Sequence, residues 1–204
     1  MDVVFEYPEH SNVKSTLFKL SDQDNVHLSQ NLDKLKPKGI VGGDLKWRSG
    51  LEYRKTVKEL DLLLKWIESL VPYVAHGLSR RGCRPSSDLK YLDDALKQNP
   101  IEFGGGDEFG FDPFGFTIYE CWFVYYRKET FLVTHDHFPY PITFVYYINC
   151  PEGSAPLILN GKEYTMKEGQ LIFFNGHDEH AVPTSEVDGR AVMTGCIAYD
   201  RARE

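Results

Sequence analysis

The C-terminal half of this chain is predicted to be an all-β sandwich or jelly roll, lying behind an N-terminal half that is mixed and largely helical. From residue 116 onward, short runs rich in β-branched and aromatic residues follow one another without an intervening helical pattern. Turn sequences such as Pro-Glu-Gly, Asn-Gly and Asp-Gly separate many of these runs. Aromatic residues make up 14% of the 204 residues, which suits sheets whose inner faces need bulky side chains.

The N-terminal half carries its clearest helical pattern over residues 56–77. Apolar residues recur there at spacings of three and four, which places them on one helical face: Val57, Leu60, Leu64, Ile67 and Val71. Pro72 is expected to end or kink this helix. A second helix is predicted over 87–98, where serines that can serve as an N-cap precede a leucine stripe.

The predicted strands all lie in the second half of the chain. They span 116–126, 130–134, 142–149, 155–159, 163–166, 171–174 and 191–199. Residues 103–115 are rich in glycine and mark the boundary between an N-terminal region, 1–115, and a β core, 116–204, within one compact domain. This segment is interpreted as a connecting loop, or as a flap over a site in the β core.

Charge and cysteine content restrict the classes of partner. The formal net charge of −7 argues against non-specific nucleic-acid binding, which needs a basic surface. No stretch is apolar enough to span a bilayer, and the N-terminus does not resemble a signal peptide, so no membrane partner is expected. None of the four cysteines forms a C-x-x-C pair. Free thiols in a reducing cytoplasm are the expectation.

Four of the seven histidines fall in the β half, in two short segments. His135 and His137 lie at the end of a predicted strand, and because residues i and i+2 share a face, both imidazoles can converge on one ion. Asp136 would then point the other way. His180 follows a later strand and its turn, and it would complete a facial iron site with open coordination positions. His177 is interpreted as an exposed turn residue.

Arg190 lies at the start of the last predicted strand, immediately before residue 191 and ten residues after His180. An arginine there can point inward beside the metal, where its planar guanidinium can bind a carboxylate through two hydrogen bonds. Alone, Arg190 would be interpreted as a surface arginine that follows an Asp-Gly turn. Beside a metal site, it favours binding of a dicarboxylate co-substrate.

These residues lie in a segment, roughly 117–198, that resembles the 2-oxoglutarate- and iron(II)-dependent oxygenase superfamily. Within it, the segment is most similar to H-x-H oxygenases of cyanophages and marine bacteria. A strand of the form Gly-x-Leu-x-x-Phe precedes the distal histidine. The other matching positions are Trp122, Tyr126-Arg127-Lys128, His135, His137, Val145-Tyr146-Tyr147, His180 and Arg190.

The resemblance implies a double-stranded β-helix (jelly roll) that binds Fe(II), with 2-oxoglutarate as co-substrate and O2 at the remaining coordination position. It implies oxidative decarboxylation of 2-oxoglutarate to succinate and carbon dioxide, coupled to hydroxylation of a prime substrate. Arg190 would anchor the co-substrate. Three further side chains are candidates for hydrogen bonds to it: Thr143, Tyr147 and Thr194.

The metal-binding triad departs from the commonest pattern of the superfamily, which is H-x-D with a distal histidine. His137 stands where aspartate is usual. The ligand set His135, His137 and His180 is therefore neutral, unless Asp136 takes the place of His137. Losing the carboxylate charge is expected to change metal affinity and reactivity.

Two other functions stay open on the sequence. A phage-related structural or assembly protein would keep the fold with a vestigial or structural metal site, in the host cytoplasm or in a virion. A cupin-type metal enzyme or sugar-binding protein would not need Arg190. The prime substrate is not identified, and homo-oligomerisation or assembly into a virion stays open.

Overall fold

The structure is a computed structural model that describes residues 14–17, 28, 30, 45–48, 50–78 and 115–199. These residues form ten strands in two antiparallel sheets, together with one long helix. The mainly β prediction is confirmed. The helix predicted over 87–98 and nearly all of the segment 103–115 lie outside the described residues, as does Cys83.

The strands are short, apart from three that form the centre of the large sheet. In chain order they are β1 (Lys14–Leu17), β2 (Leu45–Arg48), β3 (Phe116–Tyr126), β4 (Leu132–His135), β5 (Ile142–Asn149), β6 (Leu157–Leu159), β7 (Lys162–Tyr164), β8 (Gln170–Asn175), β9 (His180–Val182) and β10 (Arg190–Tyr199). The predicted bounds of β3 and β5 match the structure, and five other predicted strands differ by one or two residues at one or both ends. The strands β1, β2 and β9 were not predicted.

Six strands form the large sheet in the order β1–β8–β5–β10–β3–β2, and four form the small sheet in the order β4–β9–β6–β7. Alternate residues of the central strand β5 enter different hydrophobic clusters. Phe144 and Tyr146 lie in one cluster, and Val145 and Tyr147 lie in the other. Seven of the eight β5 residues are buried, so both faces of the large sheet are covered.

The long helix, α2 (Lys58–Leu78), covers one face of the large sheet and follows a single helical turn, α1 (Gly50–Tyr53). All five residues of its predicted apolar face are buried: Val57, Leu60, Leu64, Ile67 and Val71. Pro72 does not end the helix, which continues to Leu78. Burial of this face against the sheet outweighs the backbone hydrogen bond that a proline removes. Among the described residues, no helix combines the length and apolarity needed to cross a membrane.

The large sheet contains strands that precede residue 115, the predicted boundary, and strands that follow it. β1 pairs with β8 and β2 pairs with β3, so the two N-terminal strands form the edges of this sheet. The division of the chain into 1–115 and 116–204 stays a prediction.

Candidate metal centre

A small cavity that is open to solvent lies between the two sheets. Both sheets contribute side chains to its wall, and most of these side chains are apolar. The wall is formed by Trp122, Val124, Tyr126, Leu132, His135, His137, Val145, Leu157, His180, Val182, Arg190, Val192 and Thr194. The cavity therefore brings the three predicted ligands and the predicted anchor together in one space.

The three histidines form the group of potential metal ligands found among the described residues. One ring nitrogen from each of His135, His137 and His180 lies within 4.8 Å of the others. The ring centroids of His135 and His180 are 4.2 Å apart, and His137 lies 5.1 Å from the first and 4.9 Å from the second. Nitrogens bound to one ion at about 2.1 Å lie roughly 3 Å apart, so modest ring rotations would complete the site.

A β-bulge directs His135 into the cavity. Leu132 pairs with Val182, and His135 pairs with His180. These paired positions are three residues apart on β4 and only two residues apart on β9, so β4 contains one extra residue. Without the extra residue, strand alternation would send Leu132 and His135 to opposite faces. With it, both line the cavity, while Val133 between them is exposed.

His137 reaches the site by a different route from the one predicted. Strand β4 ends at His135, so a regular strand does not place His137 beside it. Instead, the His137 backbone amide donates to the carbonyl oxygen of Gly176, at 2.7 Å. This bond ties the residues after β4 to the turn that leads into β9. The convergence of the two histidines thus depends on a contact between distant segments.

Backbone carbonyl groups orient two of the imidazoles. Nδ1 of His135 donates to the Val133 carbonyl at 2.9 Å, and Nδ1 of His180 donates to the Asp178 carbonyl at 3.1 Å. A carbonyl oxygen only accepts, so both rings carry their proton on Nδ1. In that tautomer, Nε2 has the lone pair that a metal requires. His180 is also buried, with 4% of its surface exposed.

Asp136 is exposed and lies outside the group of three histidines. Its Oδ1 accepts a hydrogen bond from the backbone amide of Phe138, at 3.1 Å. This local bond stabilises the turn that follows β4. His177 is exposed, as predicted, and its ring lies 5.3 Å from that of Phe138.

Arg190 is almost completely buried, with 1% of its surface exposed. Its guanidinium carbon lies 4.4 Å from the ring centroid of Tyr126 and 5.3 Å from that of Tyr147. Nη2 donates to the Tyr147 hydroxyl at 3.3 Å. Nε and Nη1 are buried and have no hydrogen-bond partner among the described residues. A buried cation with two unused donors is costly unless a ligand supplies acceptors.

The other predicted co-substrate residues occupy different positions around the cavity. Thr194 lines it, and its hydroxyl donates to the Phe144 carbonyl at 2.9 Å. Tyr147 is fully buried and contacts the cavity through Arg190. Thr143 is fully buried too, and it lies beside Cys196 instead of lining the cavity.

Sequence reasoning missed two aromatic residues of the cavity wall as site residues. The ring of Trp122 lies 5.4 Å from that of His137, and the ring of Tyr126 packs on Arg190. Trp122 pairs with Thr194 and Tyr126 pairs with Arg190 across β3 and β10. The alternation of β3 predicts that Trp122 and Tyr126 share a face, but their partners follow only from the register between distant strands.

No protein-family model and no curated protein matches the sequence. Among solved structures, viral collagen prolyl hydroxylase from Paramecium Bursaria Chlorella virus-1 aligns with a TM-score of 0.60 at 11% identity, covering 96% of this chain and 95% of that one. A Pseudomonas putida prolyl-4-hydroxylase aligns with a TM-score of 0.53 at 15% identity, covering 94% of each chain. The non-heme alpha ketoglutarate-dependent carbocyclase SnoK from nogalamycin biosynthesis aligns with a TM-score of 0.60 at 10% identity, covering 93% of this chain and 80% of that one.

These similar structures include two prolyl hydroxylases and a carbocyclase, so the shared fold does not select one reaction. The narrower resemblance to oxygenases of cyanophages and marine bacteria stays a prediction. The architecture and the H-x-H triad agree with the broader resemblance. This chain therefore has the fold of the 2-oxoglutarate- and iron(II)-dependent oxygenases, with three histidines gathered between its two sheets.

Proposed function

We propose that this protein is a non-haem iron(II)- and 2-oxoglutarate-dependent oxygenase of the hydroxylase type. The observation that supports this most directly is the content of a single cavity. Three imidazoles that can bind one metal ion share it with a buried guanidinium, two of whose nitrogens have no hydrogen-bond partner in the described part of the chain. A site for a metal alone would not need the guanidinium.

The histidine donors fit an iron(II) ion. Imidazole is a suitable ligand for iron, and three ligands leave coordination positions for further molecules. The carbonyl groups that accept from His135 and His180 keep both rings in the tautomer that can ligate. When bound, iron together with 2-oxoglutarate supplies the activation of oxygen and the oxidation of the substrate. The protein supplies ligands, orientation and a largely apolar wall.

The charge distribution of the cavity fits a dianionic co-substrate. Among the described residues that line the cavity, Arg190 is the charged one and none carries a carboxylate. The three histidine ligands are neutral, so a bound divalent metal would keep its full positive charge. A molecule with a carboxylate at one end and a 2-oxo acid at the other would meet a cation at each end. 2-Oxoglutarate is such a molecule.

Two tyrosines hold the anchor in place. The ring of Tyr126 packs against the Arg190 guanidinium, and the Tyr147 hydroxyl accepts a hydrogen bond from it. Burial raises the pKa of the Tyr147 phenol, although the charge of Arg190 opposes this shift. Tyr147 therefore stays protonated at neutral pH, and its O–H can donate to a carboxylate held by Arg190.

We also infer that the two sheets form a double-stranded β-helix. The large and small antiparallel sheets face each other, and the cavity is lined by side chains of both. Each face of the large sheet belongs to a separate hydrophobic cluster, one shared with α2 and one shared with the small sheet. This packing agrees with the sandwich of two sheets that the jelly-roll prediction requires.

Succinate formation from 2-oxoglutarate is the test of the proposed activity. The protein, incubated in air with Fe(II) and ascorbate, should release succinate slowly even without a prime substrate, and faster when a correct substrate is present. His180→Ala should abolish this release, and Arg190→Met should reduce it strongly when 2-oxoglutarate is below saturation. Arg127→Met is the matched control, because Arg127 is an exposed arginine outside the cavity wall and its loss should leave the rate unchanged.

Absence of succinate with every iron loading and candidate substrate would contradict the proposal. Tight metal binding without any binding of 2-oxoglutarate would favour a structural metal site instead. Succinate release that is unaffected by Arg190→Met would show that Arg190 does not anchor the co-substrate. Oxidation of a substrate that needs the metal but neither 2-oxoglutarate nor Arg190 would favour a cupin-type enzyme.

A further inference from the structure

The turn between β8 and β9, residues 176–179, contacts two of the three histidines. The carbonyl oxygen of Gly176 accepts a hydrogen bond from the backbone amide of His137, at 2.7 Å. The carbonyl oxygen of Asp178 accepts one from Nδ1 of His180, at 3.1 Å. The backbone position of His137 and the ring orientation of His180 therefore depend on the conformation of this turn.

The Asp178 carboxylate stabilises the turn because one of its oxygens binds the backbone before the turn and the other binds a neighbouring hairpin. Its Oδ2 accepts a hydrogen bond from the backbone amide of Asn175 at 3.2 Å, and its own amide donates to the Asn175 carbonyl at 2.9 Å. Its Oδ1 accepts from Nδ2 of Asn160 at 2.9 Å, which connects the turn to the hairpin between β6 and β7. The backbone amide of Asn160 also donates to the Glu179 carbonyl at 2.8 Å.

Close packing at Gly176 couples the turn to the segment that carries His137. A Cβ at Gly176 would overlap the carbonyl oxygen of Tyr140, so the two segments are in direct backbone contact. The Gly176 amide donates to the Pro141 carbonyl at 3.1 Å, and the Tyr140 amide donates to the His137 carbonyl at 2.9 Å. A displacement of the turn would thus be transmitted to His137.

We propose that Asp178 is a positioning residue of the metal centre, whose carboxylate stabilises the 176–179 turn and thereby holds the backbone of His137 in place and orients the ring of His180. The inference rests on the proposed function in so far as these histidines bind a metal. His135 is the internal reference, because the Val133 carbonyl of its own strand orients it. Loss of the Asp178 carboxylate should therefore disturb His137 and His180 and leave His135 unchanged.

The first experiment uses the metal-free protein at about pH 8, where free imidazoles are neutral. Long-range proton–nitrogen NMR correlations of the histidine rings report which nitrogen carries the proton. The wild-type protein should show the Nδ1–H tautomer at both His135 and His180. In Asp178→Ala, His180 should become a mixture of tautomers and the His137 amide should exchange faster with solvent, while His135 keeps its tautomer.

The second experiment measures Co²⁺ affinity and the visible Co²⁺ spectrum, which reports the coordination geometry. Asp178→Ala should weaken Co²⁺ binding by about 10- to 100-fold, the range found when groups that orient metal ligands are removed. Glu179→Ala is the matched control, because it removes one exposed negative charge from the adjacent position. The Co²⁺ affinity of Glu179→Ala should stay within about threefold of the wild-type value. Asp178→Asn keeps one acceptor oxygen and should restore part of the affinity.

Asn160→Gly is a second, milder variant if Asp178→Ala does not fold, because it removes one donor from the exposed hairpin and glycine accepts the positive φ of this position. An unchanged His180 tautomer and Co²⁺ affinity in a folded Asp178 variant would overturn the proposal. An Nε2–H tautomer at His180 in the wild-type protein would overturn it as well. If the wild-type protein bound no Co²⁺, the proposed function would fail, and the tautomer measurement would still decide the role of Asp178.

Discussion

Replacing Arg190 with methionine tests two effects of this residue separately. One is the destabilisation of the ligand-free fold by a buried guanidinium, and the other is the binding of 2-oxoglutarate. The guanidinium is buried with Nε and Nη1 unpaired among the described residues. A methionine fills part of the same space without a charge or a donor. We expect the ligand-free Arg190→Met variant to be more stable than wild type and unable to bind 2-oxoglutarate tightly.

The size of both effects follows from the contacts of Arg190. Two unpaired buried donors cost about 2–6 kcal/mol, at about 1–3 kcal/mol each. The Tyr126 and Tyr147 rings offset about 0.5–2 kcal/mol each. At the midpoints of these ranges, about 4 kcal/mol of cost against about 2.5 kcal/mol of offset, removing the guanidinium gains about 1.5 kcal/mol. This raises Tm by about 3–6 °C for a chain of this size. Losing a buried charge partner of a carboxylate costs at least about 2 kcal/mol, or roughly 30-fold in affinity.

Thermal denaturation of the metal-free protein and calorimetric titration of the Co²⁺-loaded protein with 2-oxoglutarate measure the two effects. Arg190→Lys is the control that keeps the charge without the planar fork, and its 2-oxoglutarate affinity should be intermediate. A variant Arg190→Met that binds 2-oxoglutarate as tightly as wild type would refute the role in anchoring. A Tm lowered by more than about 5 °C would show that Arg190 stabilises the fold instead.

Three further results are expected. His137→Ala should weaken Co²⁺ binding at least about tenfold, whereas Asp136→Ala should leave the affinity nearly unchanged in the same titration, since Asp136 is exposed and hydrogen-bonded locally. Gly176→Ala should lower the free energy of unfolding by about 1–3 kcal/mol in urea, because its Cβ would overlap a carbonyl oxygen. Burial raises the pKa of the Cys121 and Cys196 thiols to about 12, so peptide mapping should find neither alkylated at about pH 8 without denaturant.

The sign of the thiol effect on stability follows from the direction of the shift. Because the folded-state pKa of Cys121 and Cys196 lies above the ordinary value of 9.0, the folded state favours the neutral thiols. This contribution to stability is complete below about pH 9 and is lost as the pH rises towards 12. Denaturation curves from about pH 8 to about pH 11 should therefore show a steady loss of stability, smaller in a Cys121→Ala, Cys196→Ala double variant.

The parts of the fold that could be predicted from the sequence are those that a pattern of neighbouring residues indicates. The bounds of β3 and β5 and the buried face of α2 follow from runs of apolar and β-branched residues. The strand β9 has three residues, too few for a periodic pattern, although it carries His180. The strands β1 and β2 have four residues each and are defined by pairing with distant partners.

The clustering of the three histidines could be predicted from the sequence better than the contacts that bring them together could. The spacing of His135 and His137 and the later His180 indicated a shared ion, and their ring nitrogens do lie together. The strand argument behind that prediction was incomplete. A bulge directs His135 inward, and a hydrogen bond to Gly176 positions His137. Both depend on tertiary pairing, which no local pattern encodes.

The central claim is that three histidines and Arg190 form one site for iron(II) and 2-oxoglutarate. Its most direct test is an anaerobic optical titration of the purified protein, first with Fe(II) and then with 2-oxoglutarate. The account predicts a visible charge-transfer band that saturates at one iron and one 2-oxoglutarate per chain. A protein that binds iron but never develops this band, at any concentration of 2-oxoglutarate, would contradict the account.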